Sequence, residues 1–159
     1  MSDNALVTEM RMWAERAADR LKSEENKKNL ENERFVEEQR LRRHHAPRLW
    51  IRLKVCLEEK CNTLNSELGK EILVFKLEPS SQVIIRTKDR PHSLRVEYAK
   101  DAYRIYYECD GLDGEYLFGV KADTTVRLQT PSGIPYTPEE VSTKLLEMLL
   151  QFRASDLQG

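Results

Sequence analysis

The first 45 residues contain no Gly and no Pro, and 20 of them are charged, 10 basic and 10 acidic. A stretch without either residue has nothing to break a helix, and so many charges on it cannot all be buried. Beyond Pro47 the pattern changes: turn signals recur roughly every ten residues, with apolar runs between them. This contrast predicts a charged helical arm over 1–45, an α+β globular domain over 46–155 and a short tail over 156–159. An arm of this composition is expected to touch something other than its own globular domain.

Within the arm, Ser2, Asp3 and Asn4 are all residues that cap helices. Leu6, Met10, Trp13, Ala17 and Leu21 follow at steps of four, three, four and four, placing them on one helix face at close to heptad spacing. From Lys22 to Arg34 only Leu30 is large and apolar, and Phe35, Val36 and Leu41 resume a weaker stripe. Pairs such as Glu24–Lys28 and Arg34–Glu38 support an exposed helix by about 0.2–0.5 kcal/mol each. The polar middle excludes a sustained coiled coil, which needs several clean heptads. The patch of Met10, Trp13, Ala17 and Leu21 therefore calls for a partner.

Pro47 suits the first turn of a new helix. Trp50, Leu53, Leu57, Cys61 or Leu64, and Leu68 then recur at helical spacing, and Gly69 is a fitting stop. Six strands are expected after it, over 71–77, 82–86, 93–98, 103–109, 115–120 and 125–130. Alternation is cleanest where Leu94, Val96 and Tyr98 interleave with Arg95 and Glu97. The links between these strands are too short for parallel crossovers, so the sheet should be an antiparallel meander. Asp110-Gly111 and Asp113-Gly114 read together as one turn region. Thr137-Pro138-Glu139-Glu140 is a capping box that opens a final helix, with Val141, Leu145, Met148, Leu149 and Phe152 on its apolar face. The fold class is α+β: a long N-terminal helical arm, then a two-layer sandwich of helix, six-stranded antiparallel meander and C-terminal helix. In element order, residues 71–153 resemble pleckstrin-homology-like domains, which have seven strands and a closing helix; the resemblance carries no site residue.

Function is much less legible. The net charge is −1, which gives no global bias toward nucleic acid or an acidic membrane. No run of about 18 apolar residues exists, and Met1 to Arg20 lacks the apolar core of a secretory signal. Cys56, Cys61 and Cys109 form an odd set without a C-x-x-C pair, which fits a reducing, cytoplasmic setting with the thiols acting as small apolar groups. His44 and His45 are adjacent and poorly spaced for a metal, and His92 stands alone. The Asp110–Glu115 loop lacks the spacing of an EF-hand. Phosphate-binding, dinucleotide, nucleophile-elbow and zincin motifs are absent, so neither a catalytic residue nor a cofactor is expected.

Between Glu38 and Glu58 there is no acidic residue, while Arg40, Arg42, Arg43, Arg48, Arg52 and Lys54 are basic. The preferred expectation is a non-catalytic interaction or assembly module, engaging another protein or a second copy of itself through Met10, Trp13, Ala17 and Leu21. A second expectation makes the basic junction over 40–54 a binding site for nucleic acid or an acidic lipid surface. A third places a small molecule between sheet and helices. Tyr98, Tyr103, Tyr106, Tyr107 and Tyr116 crowd into successive strands, with Tyr106 facing opposite to Tyr103 and Tyr107.

Overall fold

A computed structural model describes residues 3–79 and 81–151. Ser2 as a cap, Ser80 in a turn, Phe152 on the last apolar face and the boundary at Ser155 lie outside the described residues. The elements are helix α1 (Asp3–Leu68), strands β1 (Leu73–Glu78), β2 (Gln82–Thr87), β3 (Ser93–Ala99), β4 (Arg104–Cys109), β5 (Leu112–Val120), β6 (Val126–Gln129) and β7 (Pro135–Tyr136), and helix α2 (Pro138–Leu150). The chain is α+β, and its seven strands form one open antiparallel sheet in sequential order. Six of them coincide with the expected runs to within a few residues. The seventh, β7, pairs Pro135 with Gln129 and Tyr136 with Leu128. Two residues are too short to show a period, which is why this strand leaves no trace in the sequence pattern.

Two corrections concern turns and breaks. The arm helix and the helix expected to start at Pro47 are a single element, with Pro47 inside it. Proline lacks the N–H that would bond the carbonyl four residues back, so continuity here is maintained against a local cost of about 3 kcal/mol. Ala46, Trp50, Leu53 and Leu57 bury their side chains on both sides of the proline, and that packing outweighs the lost bond. Second, the turn between β4 and β5 is Asp110-Gly111 alone, both at positive φ, as a two-residue hairpin requires. Asp113-Gly114 lies within β5, where Gly114 pairs with Tyr107. Glycine stands there because the Tyr107 ring and hydroxyl occupy the space a Cβ would take.

By contacts the chain divides between Arg40 and Leu41 into two compact units. In the unit from Leu41 onward, one core joins α1, α2 and the inner face of the sheet. Leu41, Ala46, Trp50, Leu53, Leu57 and Cys61 are buried on α1, so the apolar face continues through Cys61 while Leu64 is half-buried. Leu68, expected on this face, is 49% exposed because the helix ends there. Val141, Leu145 and Leu149 are fully buried on α2. Opposite them lie Val83, Ile85, Leu94, Val96, Ile105, Phe118 and Leu128, each contributing on the order of 1.5–3 kcal/mol by burial.

Polar contacts fix α1 to the sheet and the two helices to each other. Asn65 donates to the Leu73 carbonyl at 2.9 Å and accepts from the Ile72 and Leu73 N–H groups, so the end of α1 sets the start of β1. The capping box on α2 is formed as the sequence predicts: Thr137 Oγ1 accepts from Glu140 N and Glu140 Oε1 accepts from Thr137 N, each at 3.1 Å. Lys60 Nζ then reaches the first turns of α2, donating to the Glu139 carbonyl, Ser142 Oγ and Thr143 Oγ1 at 2.5–2.7 Å. The outer sheet face carries charged ladders instead of a helix, including Arg95–Glu108 at 2.6 Å and Arg104–Glu115 at 3.1 Å.

Candidate functional site

In the unit before Leu41, the whole described segment is α-helical. Ion pairs one turn apart run along it, Arg20 with Glu24 at 3.4 Å and Arg40 with Glu37 at 2.6 Å. The second is bidentate, and its hydrogen bonds hold the Glu37 carboxyl below the usual carboxylate range. Against this polar background the apolar stripe is open to solvent. Leu6 is 61% exposed, Met10 68%, Trp13 72% and Leu21 64%, while Ala17 between them is half-buried. Val7 and Met12 are exposed beside the stripe, and Leu30, Phe35 and Val36 further along. Isolated apolar residues on a surface need no explanation; here several recur along one helix face, with a tryptophan among them.

The six residues of the basic junction are not one patch. Arg40 is occupied by Glu37. Arg42 Nε donates to the Phe118 carbonyl at 2.8 Å, clamping α1 to β5. Arg52 pairs with Glu139 at 2.7 Å across the two helices. The Glu139 carboxyl is held below its ordinary range by a hydrogen bond from its own backbone N–H and then by Arg52. Lys54 Nζ lies 5.5 Å from the centre of the Trp50 ring. Trp50 itself is buried and stacked on Tyr98 at 5.8 Å. Arg43 and Arg48 are exposed, and among the described residues neither has an ion-pair partner. Five residues apart on a helix, they point about 140° from one another.

His92, solitary in sequence, meets Asp110 at 2.8 Å, and Asp110 also accepts from the Ser93 N–H at 3.2 Å. The contact ties the β2–β3 loop to the β4–β5 turn across 18 residues, a separation that no local spacing could reveal. Cys109 beside it is not activated: burial, then the Asp110 charge, push its thiol up to about 11. Cys61 is pushed up to about 12, chiefly by burial. No group of three or more His, Cys, Asp or Glu side chains with metal-binding geometry occurs among the described residues. Of the clustered tyrosines, Tyr98 and Tyr116 are buried and Tyr107 packs tilted against Tyr116 at 5.5 Å, while Tyr106 is 40% exposed on the outer face. An open concavity of about 350 Å³ on that outer face is lined by Ile84, Ser93, Arg95, Glu108, Asp110 and Gly111. Three of these six residues are charged, and the concavity lies on the outer face of the sheet, not between sheet and helices where the small-molecule expectation puts its site.

No helix among the described residues is long and apolar enough to cross a membrane. Compared with known protein families, with curated proteins and with solved structures, the chain finds no match.

Proposed function

We propose that this chain is a non-catalytic assembly module whose N-terminal helix binds another protein helix through Met10, Trp13, Ala17 and Leu21. The observation that carries the reading is the exposure of Met10, Trp13 and Leu21, 64–72%, on one face of an otherwise polar helix. Apolar side chains at heptad spacing bury their surface against a second helix at little cost, because the backbone is already ordered. The three buried, unpaired cysteines fit operation in a reducing compartment such as the cytoplasm. The test is light-scattering mass at about 100 μM, a concentration that reveals micromolar association. Wild type should exceed a single-chain mass, and Trp13→Glu combined with Leu21→Glu should return it to one chain with an unchanged melt. A double variant that associates as wild type does would refute the reading, as would a wild type of single-chain mass that co-purifies with no other protein.

A further inference from the structure

The arm's own residues specify a partner and a direction, and we infer that the stripe pairs antiparallel with the same stripe of a second copy; this rests on the reading just proposed. In heptad terms Met10 and Ala17 occupy a, while Leu6 and Trp13 occupy d. The flank on one side of this seam is apolar, with Val7, Ala14 and Leu21 at e. The other flank begins with charges of opposite sign, Glu9 and Arg16 at g.

Antiparallel pairing brings each helix's g flank beside the partner's g flank, whereas parallel pairing sets g beside e. In the parallel arrangement Glu9 and Arg16 would face alanine and leucine. In the antiparallel one, Leu6 sits opposite the partner's Ala17, Met10 opposite the partner's Trp13, and Glu9 lies within reach of the partner's Arg16. Large residues thus meet small or complementary ones, and twofold symmetry forms the ion pair twice. The charges also fix the register. A slip of one heptad in one direction sets Arg16 beside the partner's Arg16, and a slip the other way sets Glu9 beside the partner's Glu9. Both alternatives oppose like charges, so only one register is favoured.

The available area suits a weak contact. Leu6, Val7, Met10 and Trp13 are 55–72% exposed, whereas Leu21 in this register lies level with the partner's N-terminal end. At on the order of 100 Å² per side chain, two copies would bury about 800 Å², the size of a transient contact. Micromolar, reversible association is the expected strength.

The test uses the full chain with Glu9→Arg and Arg16→Glu made separately, measured by sedimentation equilibrium at low salt. Each variant alone opposes like charges twice and should self-associate at least about tenfold more weakly than wild type. An equimolar mixture of the two should regain wild-type affinity. One variant then carries arginine at both g positions and the other carries glutamate at both, so both contacts between the mixed copies join opposite charges. Single variants that associate as wild type does, or a mixture that is not restored, would overturn the antiparallel register. The Trp13/Leu21 variant judges the assembly reading separately, and a single-chain wild type would overturn the second copy as the occupant.

Discussion

Gly114→Ala offers a sharp test of the packing around β5. Gly114 is not at positive φ, so its backbone conformation is open to alanine. In a neutral environment the change would stabilise the fold by about 0.4–1 kcal/mol, through the lower entropy of the unfolded chain. Here the new Cβ would overlap the ring and hydroxyl of Tyr107, which are rigidly joined and cannot yield by bending a flexible tail. Tyr107 must rotate away. It then gives up its contact with Tyr116, a pair with ring centres 5.5 Å apart and worth about 0.5–1.5 kcal/mol beyond area. It also exposes part of a half-buried ring, at roughly 25 cal/mol per Å². The net effect should be destabilising by about 1–2 kcal/mol, read as a lower denaturation midpoint with an unchanged slope.

The sign should reverse when the obstacle is removed. In a Tyr107→Ala background, Gly114→Ala has nothing to displace and should stabilise by about 0.4–1 kcal/mol. The double-mutant cycle therefore has a predicted coupling of about 2 kcal/mol, well above the error of midpoint measurements. Equal destabilisation in both backgrounds would refute the reasoning. It would mean that Asp113-Gly114 needs glycine for its backbone conformation, as a turn would.

Leu145→Asp places a charge at a fully buried position on α2 and should cost several kcal/mol; a variant within about 0.5 kcal/mol of wild type would show that α2 is not part of the core. A fragment beginning just before Leu41, the first buried residue of the core among those described, should melt cooperatively by circular dichroism, whereas a non-cooperative melt would place part of the folding unit in the arm. Burial raises the acid groups Cys61 and Tyr116 to about 12 and Cys109 to about 11, so folding is favoured below their unfolded values near 9–10 and loses that support as pH rises toward 12. The melting temperature should fall across that window, and thiol reagents should label the native protein slowly near pH 7. Wild type should not be retained on heparin at about 50 mM salt, and retention abolished by Arg43→Gln with Arg48→Gln would favour an anionic partner instead.

What is legible in this sequence is what local pattern encodes. Alternation marks six strands, the capping box at Thr137 and Glu140 marks the start of α2, and the absence of breakers marks the arm. Sequence and structure part where a local rule meets a tertiary contact. Pro47 looks like a helix start, and buried neighbours on both sides carry the helix through it. Asp113-Gly114 looks like a turn, yet its glycine serves the ring of Tyr107, which precedes it by seven positions. The basic junction looks like a patch when charge is counted along the chain. Arg42 finds its acceptor 76 residues away and Arg52 finds its carboxylate 87 residues away, distances over which no periodicity carries information.

The same distinction bears on why the arm and the junction carry different functional weight. A charged group satisfied within its own chain already has a carboxylate or carbonyl partner, and recruiting it to an outside ligand means breaking that contact. Arg40, Arg42 and Arg52 are in that position. An apolar side chain left in water has no such prior claim, and whatever covers it gains the full transfer energy of its surface. Trp13 and Trp50 show the two cases within one helix: Trp50 is 3% exposed and held against Tyr98, whereas Trp13 is 72% exposed. Burying Trp13 and its exposed neighbours is a favourable step still open to the described part of the arm, and it is the step the proposed association takes.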